Sequence, residues 1–452
     1  MDSSIVRRIR NGFGANIYGQ VVTVIVQLAG VPILLHAWGA QLYGEWLILS
    51  AIPVYLSLTN MGLSQAAAND ISAKIARGEN TDAAKILQGL AWFLAIAIAI
   101  ALCCVIFVVF LAAHYRLINL QEISSPVADR IIILLSFEIL ISIADGLNDA
   151  GFRSNGQYAF YTIAFFSTIL AQQIAIWLTA IYGYGPLNAA AAFALVRICS
   201  FPAITFYLFI RNPNLKTPIK LSNLKKIKHL HMPAIANFLM PVAQALSLQG
   251  MIILIGGTLG GIAVASFAAM RLLTRSVMRV GALIAHSVEP EEARAYGVNN
   301  MKLLRRLYFS SQTLSIWIAL IGSVALYIVG PKFYEVWTQN RLVYDSAAYR
   351  LLILSSFSGV FWYGGLHLMK ACNLHVRSAV IFLVASAISL IGTFIGLHFN
   401  KSLWVAALAL SVFDITFALY IVKQTSRFIN TSYIRTWKSI TSTLSTKTLF
   451  AR

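Results

Sequence analysis

Charged side chains are scarce in this sequence of 452 residues, where Asp, Glu, Lys and Arg together make up 11%. An average soluble protein contains about 25%. Acidic residues are the rarest, with 16 Asp and Glu against 35 Lys and Arg, while hydrophobic residues reach 58%. So little charge cannot cover the surface of a soluble domain of this size. The composition therefore excludes a soluble globular protein and predicts an all-α polytopic membrane protein.

Cysteine is also scarce, since the chain has only four. Cys103, Cys104 and Cys199 fall within apolar segments, and Cys372 lies at the end of one. This arrangement has neither the spacing of a metal site nor that of a disulfide framework. The sequence also lacks a Gly-rich phosphate loop and a long polar segment that would form a soluble catalytic region. We therefore expect no metal, no cofactor, no catalytic residues and no enzymatic activity.

Long apolar segments are what the sequence contains instead. Windows of about 20 residues pick out about twelve candidate transmembrane helices. They cover residues 14–37, 44–67, 88–113, 130–151, 158–183, 187–210, 231–256, 262–288, 307–330, 347–369, 376–398 and 402–424.

Most of the Lys and Arg residues lie in the amino-terminal arm, in alternate loops and in the carboxy-terminal tail. The positive-inside rule then places both termini in the cytoplasm, in agreement with an even number of spans. The formal charge of +19 is explained by this topology and by contact with anionic membrane lipids. A nucleic-acid partner is not expected.

The pattern of spans divides the chain into two similar lobes. We predict an N-lobe at 1–210, a basic cytoplasmic linker at 211–230, a C-lobe at 231–424 and an amphipathic cytoplasmic tail at 425–452. The second half of the linker, Leu221–Leu230, is predicted to form a basic amphipathic helix on the membrane surface. A constant shift along the chain places Asn16 on Asn237 and Gly39 on Gly260. Because each lobe has six spans, the repeat is parallel.

Basic residues within the span 262–288 form the most informative pattern. Helical spacing places Arg271, Arg275, Arg279 and His286 on one face. An arginine near the bilayer centre is costly and usually faces a bundle interior or a water-filled cavity. One interpretation is that the face binds an anionic substrate, and the other is that Arg279 extends along apolar surface to the interface. Under the constant shift these arginines have no counterparts, so they are specific to the second lobe.

Polar residues in the first span form a second stripe, with Asn16, Gln20, Thr23 and Gln27 at helical spacing. Asn237, Pro241 and Gln244 repeat this pattern in the seventh span. Such a stripe either lines a substrate cavity or forms hydrogen bonds to a neighbouring helix.

Acidic residues form a third stripe in the fourth span. Glu138, Ser142, Asp145 and Asp149 share one helical face. Carboxylates inside a membrane pair with basic groups or relay protons. The candidate partners are Arg153 and Arg197, and the pattern leaves ion pairing and ion coupling equally open.

The opening of the chain resembles that of O-antigen and polysaccharide flippases, the Wzx-like branch of the multidrug/oligosaccharidyl-lipid/polysaccharide (MOP) exporter superfamily. A basic arm precedes the first span, and the residues that carry the resemblance are Pro32, Gly39, Tyr43, Gly44, Glu45, Trp46, Asn60, Met61, Gly62 and Leu63. The resemblance extends over nearly the whole chain through the spans and the parallel repeat.

This resemblance implies two six-helix lobes and alternating access. It also implies export of an undecaprenyl-pyrophosphate-linked oligosaccharide across the bacterial inner membrane. Arg271, Arg275 and Arg279 would then bind pyrophosphate or acidic sugar, and Asn16, Gln20, Gln27, Asn237 and Gln244 would bind sugar hydroxyls. Polysaccharide polymerase and assembly proteins are the expected protein partners.

Three alternatives differ in what they require. A multidrug exporter of the same superfamily favours acidic and aromatic cavity residues and commonly has a carboxylate in the first span, which residues 13–37 lack. A lipid II flippase shares the cationic cavity but usually has additional spans. A membrane-embedded polysaccharide polymerase generally needs a sizeable extramembrane catalytic region.

Overall fold

The chain is helical throughout the part that the computed structural model describes, which comprises residues 3–60, 63–114, 120–215, 218, 220–372 and 374–430. No β-strand occurs within these ranges. The predicted all-α fold class is therefore confirmed. The predicted helix of the carboxy-terminal tail lies beyond residue 430 and thus outside the described residues.

Two compact units make up the structure, Met1–Val242 and Ala243–Arg452. The predicted linker at 211–230 falls within the first unit, and its proposed role as a boundary stays a prediction. The α-helices of the first unit are α1 (Ser3–Val54), α2 (Leu63–Ala76), α3 (Asn80–His114), α4 (Ser125–Ser154), α5 (Tyr158–Ile181) and α6 (Pro186–Arg211).

Helix α7 (His231–Leu259) leads from the first unit into the second. The second unit continues with α8 (Gly261–Thr274), α9 (Ser276–Gly297), α10 (Met301–Ile328), α11 (Gly330–Trp337), α12 (Ser346–Ala371), α13 (Val376–Phe399) and α14 (Leu403–Phe428).

Nine helices within the described ranges are long and apolar enough to cross a membrane, and α8 with α9 would form a tenth, bent span. The chain is therefore a multi-pass membrane protein, although this count is lower than the predicted one of about twelve. One reason is that α1, with 52 residues, joins the first predicted span to much of the second. The other is that α4 coincides with the fourth predicted span but carries several charged residues.

Polar caps and prolines fix several helix starts. Asp345 accepts hydrogen bonds from the backbone N–H groups of Ala347 and Ala348 at 3.0 Å and caps α12. Proline lies in the first turn of α4 and of α6, where its missing N–H has no helical partner to lose. These local signals set the ends of the helices that carry the charged residues discussed below.

Buried Glu45 ties α1 to the segment that precedes α4. Its carboxylate accepts hydrogen bonds from the backbone N–H groups of Gln121, Glu122 and Ile123, at 2.7 to 3.2 Å. The Gln41 side chain donates a further bond of 2.8 Å. Buried backbone donors need such acceptors, so this residue of the resemblance motif has a structural role in placing α4.

The two glycines that the repeat aligns have the same unusual backbone conformation. Gly39, inside α1, has φ 77° and ψ 175°, and Gly260, at the start of α8, has φ 85° and ψ −179°. This region of φ and ψ is essentially restricted to glycine. The aligned positions thus share a backbone break in each unit, which supports the internal repeat.

The segment Leu221–Leu230, predicted as a basic amphipathic helix on the membrane surface, forms a 3₁₀-helix. Its Ile227 is buried in the core of the first unit beside residues of α3. The backbone carbonyl of Asn223 would lie 2.4 Å from a Cβ added at Gly89 of α3. The segment is therefore helical as predicted and packs on one side against protein, and its contact with the membrane surface stays a prediction.

Alanine at Gly39 or Gly260 should destabilise the protein by about 1–3 kcal/mol, since a Cβ is strained in this conformation. A Cβ at either position would meet no other atom within 4 Å, so steric overlap with neighbouring groups would not contribute. Thermal unfolding of the purified variants in detergent measures the effect.

Gly392→Ala is the matched control for these variants. Its site is within α13 and equally open, and alanine is favoured over glycine in a helix. An unchanged melting temperature for both Gly39→Ala and Gly260→Ala would contradict the assigned backbone conformation.

Candidate functional site

The predicted span with the arginine stripe is bent in the structure. Helices α8 and α9 meet at an angle of 43°, and Arg275 is the residue between them. The hydroxyl of Thr274 donates to the carbonyl of Met270 at 3.0 Å, and that of Ser276 donates to Leu273 at 2.7 Å. Hydroxyl groups that bond back to helix carbonyls favour bending. The expectation of one straight helix was therefore wrong.

A cavity of about 410 Å³ lies in the second unit, beside this bend. The cavity is lined by all three arginines, Arg271, Arg275 and Arg279. The three residues that the helical spacing places on one face thus border the same space. Its walls combine residues of α7, α8, α9, α12 and α13 and include the aromatic side chains Phe267, Trp362, Tyr363 and Phe382. The volume lies within the range of small-molecule pockets, about 300–1,000 Å³.

Arg271 is the most buried of the three arginines, with 6% of its surface exposed. Its Nη1 and Nη2 donate to the backbone carbonyls of Leu248 and Ser247 in α7, at 3.4 and 3.2 Å. The guanidinium also lies over the ring of Phe267, with 5.9 Å between Cζ and the ring centroid. Arg271 therefore does not extend to an interface, and two of its five donors hold it against α7.

Asp414 of α14 is the acidic group that interacts electrostatically with both Arg271 and Arg275. Its carboxylate is 3% exposed and accepts hydrogen bonds from Trp362 Nε1, at 2.9 Å, and from the hydroxyl of Ser355. Asp414 was not identified from the sequence, although an acidic residue in an apolar span is itself a signal.

The charges around the cavity do not cancel. Three guanidinium groups line it, and the two innermost, Arg271 and Arg275, share one carboxylate among the described residues, that of Asp414. The formal balance is thus positive, and the site favours an anion or an anionic part of a larger ligand.

The remaining site residues of the predicted C-lobe have different positions. Gln244 lines the cavity, whereas the side chain of Asn237 lies outside the described residues. His286 is not among the residues that line the cavity. It lies on α9 beyond the bend, two turns after Arg279, and its Nε2 is 3.2 Å from the hydroxyl of Tyr363, which does line the cavity.

The polar stripe of the first span lies in the first unit and packs partly against α5. Asn16 Oδ1 accepts a hydrogen bond of 2.9 Å from the hydroxyl of Tyr158. Thr23 donates to the carbonyl of Gly19. Gln20 is exposed and Gln27 is half-buried. Asn16 thus forms the hydrogen bond to a neighbouring helix that one interpretation of the stripe requires.

The acidic stripe of α4 meets Arg197 of α6 in the interior of the first unit. Arg197 Nε lies 3.1 Å from Glu138 Oε1, and Nη1 lies 2.7 Å from Asp145 Oδ2. Its Nη2 donates to Gln172 Oε1 of α5 at 3.1 Å, and Gln172 Nε2 donates to Glu138 at 2.7 Å. All four residues are at most 3% exposed. They form a buried charge cluster that links α4, α5 and α6.

Asp149 lies outside this cluster and pairs with Arg153 one turn further along α4, at 3.1 Å. Both proposed basic partners are therefore confirmed as ion-pair partners. Gln172 was not identified from the sequence, because it and the adjacent Gln173 follow no helical periodicity. The cluster itself holds two carboxylates and one guanidinium, which leaves one excess negative charge when both acids are ionised.

Comparisons with known proteins support the fold. No family model and no curated protein matches the sequence. Among solved structures, the chain is similar to a multidrug-resistance MATE family transporter of the MOP superfamily in an inward-facing conformation. The TM-score is 0.68 at 15% identity, and the match covers 94% of this chain and 99% of that one.

Two further structures agree with this result. A MOP superfamily transporter from Pyrococcus furiosus matches with a TM-score of 0.60 and 14% identity, over 94% of this chain and 95% of that one. A mutant MATE transporter from Vibrio cholerae matches with a TM-score of 0.58 and 15% identity, over 96% and 99% of the two chains. The chain therefore has the fold of MATE transporters, as the predicted two-lobe class requires.

Removal of Arg197 should destabilise the first unit strongly, because it leaves two buried carboxylates without their cation. Breaking a buried ion pair in this way typically costs about 3–5 kcal/mol. We expect Arg197→Leu to lower the folded yield and the melting temperature in detergent.

Neutralising both acids in the same variant, with Glu138→Gln and Asp145→Asn, should restore most of the loss, since no unpaired charge then remains. If the triple variant is as unstable as Arg197→Leu alone, charge compensation is not the role of Arg197.

Proposed function

We propose that this chain is a flippase that moves an undecaprenyl-pyrophosphate-linked oligosaccharide across the bacterial inner membrane by alternating access. The observation that carries the proposal is the arginine-lined cavity of the second unit, in which Arg271 and Arg275 share the single carboxylate of Asp414 among the described residues. In this assignment the cavity receives the pyrophosphate group, or an acidic sugar next to it.

Guanidinium groups suit this ligand for a geometric reason. Their planar N–H donors form paired hydrogen bonds with phosphate oxygens and stay charged at physiological pH. Arg271 is fixed by two carbonyl groups of α7, so part of the ordering cost of binding is met before the ligand arrives. The aromatic residues Phe267, Trp362 and Tyr363 offer surfaces for sugar rings, and Gln244 offers an amide for a hydroxyl group.

The polar residues Asn16, Gln20, Gln27 and Asn237 are proposed to serve other hydroxyl groups of the glycan. Both termini are proposed to lie in the cytoplasm, with anionic lipids at the basic segments and polysaccharide polymerase or assembly proteins as partners. The chain is not proposed to be an enzyme.

Multidrug export is the second candidate, because the aromatic walls and buried Asp414 also suit a lipophilic cation. The similarity to a multidrug-resistance MATE transporter agrees with that function too. Repulsion from three arginines favours the anionic substrate. The Pyrococcus structure is described as having a binding pocket of reverse polarity that suggests a different function, so this fold is compatible with pockets of either polarity. A lipid II-type flippase remains a variant of the first proposal, since its substrate carries the same pyrophosphate.

Arg275→Ala should abolish complementation of a polysaccharide-export defect that the wild type rescues. Loss of charge-assisted hydrogen bonds to phosphate costs about 1.5–3 kcal/mol, which corresponds to roughly a 10- to 150-fold loss of affinity. Arg271→Ala should behave alike, with membrane expression verified by blotting because Arg271 also contacts α7.

Arg294→Ala is the control, because Arg294 is 77% exposed and forms only a surface ion pair with Glu291. Rescue by Arg275→Ala at the wild-type level would contradict the assignment of the cavity. Efflux of a cationic dye without any rescue would favour the multidrug exporter.

The buried cluster of the first unit is proposed to couple transport to protons through its excess carboxylate, with Glu138 and Asp145 as candidates. Asp149, in the neighbouring pair with Arg153, is the third candidate. Asp145→Asn removes that excess, so lipid-linked sugar flipping in proteoliposomes should no longer respond to an imposed pH gradient. Glu138→Gln should act alike, and Asp149→Asn tests the separate pair with Arg153.

Asp129→Asn, near the start of the same helix, is the matched control and should keep the response. If Glu138→Gln, Asp145→Asn and Asp149→Asn all keep the full response to the pH gradient, the three carboxylates form structural ion pairs and do not couple transport to protons.

A further inference from the structure

Two histidines and a glutamate meet where α9 packs against α12. His286 and Glu289 lie one helical turn apart on α9, and His367 comes from α12. His367 Nδ1 is 2.8 Å from Glu289 Oε2, and His286 Nδ1 is 3.5 Å from the same oxygen. One candidate ligand atom from each residue lies within 4.8 Å of the other two.

These distances are close to those of a metal site. Zinc binds histidine nitrogen at about 2.0–2.1 Å and carboxylate oxygen at about 2.0–2.2 Å, so neighbouring ligands of a tetrahedral ion lie about 3.4 Å apart. The 3.5 Å separation of His286 Nδ1 and Glu289 Oε2 agrees with this edge length. The His286 side chain is 52% exposed and has room to adjust towards an ion.

The groups around the three residues also fit a metal site. Ligand histidines usually direct their second ring nitrogen to a hydrogen-bond partner, and His286 Nε2 lies 3.2 Å from the hydroxyl of Tyr363. The Tyr363 ring stacks on His367 with 4.5 Å between centroids. Lys370 Nζ is 3.5 Å from Glu289 Oε1, which leaves Oε2 facing the histidines as a single ligand atom.

We propose that His286, Glu289 and His367 bind a divalent transition-metal ion of the zinc class. Zinc and the neighbouring transition metals bind imidazole nitrogen well, whereas magnesium and calcium prefer oxygen ligands. Two imidazoles and one carboxylate supply three ligands, and the partial exposure of His286 leaves access for water as a fourth. This site is distinct from the arginine cavity and does not rest on the proposed transport function.

A bound ion would link α9 to α12 through coordination bonds, which would replace the hydrogen bonds of the cluster. Tyr363 contacts His286 and also lines the arginine cavity. The metal would therefore hold one wall residue of that cavity in position, on the side of the bend that carries Arg279.

The test is zinc binding to the purified full-length protein in detergent, with an affinity tag that contains no histidine. Isothermal titration calorimetry, and metal analysis after dialysis, should give one Zn²⁺ per chain. Added Zn²⁺ should also raise the melting temperature of the protein. His286→Ala and His367→Ala should each weaken binding at least tenfold, and Glu289→Gln should weaken it as well, while Mg²⁺ should not compete.

His398→Ala is the control, because His398 is an exposed histidine at the far end of α13, and it should bind zinc like the wild type. His286 is half-exposed, so its alanine variant is expected to fold, and the elution volume on size exclusion verifies this. Absence of zinc binding by the wild type, or binding that a folded His286→Ala variant retains unchanged, would overturn the proposal and leave a hydrogen-bonded cluster between two helices.

Discussion

A charge inside an apolar helix must be compensated within the protein, since neither lipid nor a dry interior solvates it. The two units meet this constraint in different ways. In the first, Arg197 contacts Glu138, Asp145 and Gln172 with all three of its nitrogen atoms. In the second, Arg271 and Arg275 face one carboxylate, Asp414, and the shortfall of negative charge lies beside a cavity. The first cluster links α4, α5 and α6 through hydrogen bonds among its own members, whereas the second leaves positive charge beside a cavity and is suited to an anionic ligand.

Backbone geometry sets where the uncompensated charges lie. The glycine break at Gly260 starts α8, and the bend at Arg275 turns α9 away from it. Arg271 is thereby held against α7, while His286 is directed to α12. Arg279 and His286 both lie on α9, beyond the bend. Tyr363 contacts His286 and also lines the cavity, so the cationic cavity and the histidine cluster adjoin each other.

Much of the fold could be predicted from sequence because apolar length and glycine position are local properties. The predicted spans match helices α3 to α7, α10 and α12 to α14 closely, whereas the span at 262–288 is divided between α8 and α9 and the short α11 lies outside the predicted spans. The alignment of Gly39 with Gly260 anticipates their shared conformation. The bend was not predicted, because Thr274 and Ser276 are ordinary polar residues until their hydroxyl groups bond back to the helix. Asp414, Gln172 and His367 were missed for another reason. Each is a polar residue outside any helical stripe in an apolar span, and its partner lies far away in sequence, so periodicity gives no signal.

The arginines are an addition to the repeated fold and not a requirement of it. In the internal alignment Arg271 corresponds to Ser50, whose hydroxyl bonds to the carbonyl of Trp46 in its own helix at 2.7 Å. The equivalent helix of the first unit therefore forms without any charge at this position. A fold that is stable without these arginines tolerates changes in their number and sign, so the polarity of the cavity can differ between proteins of the same architecture. For this reason the charge of the cavity, and not the fold, is the stronger guide to the substrate.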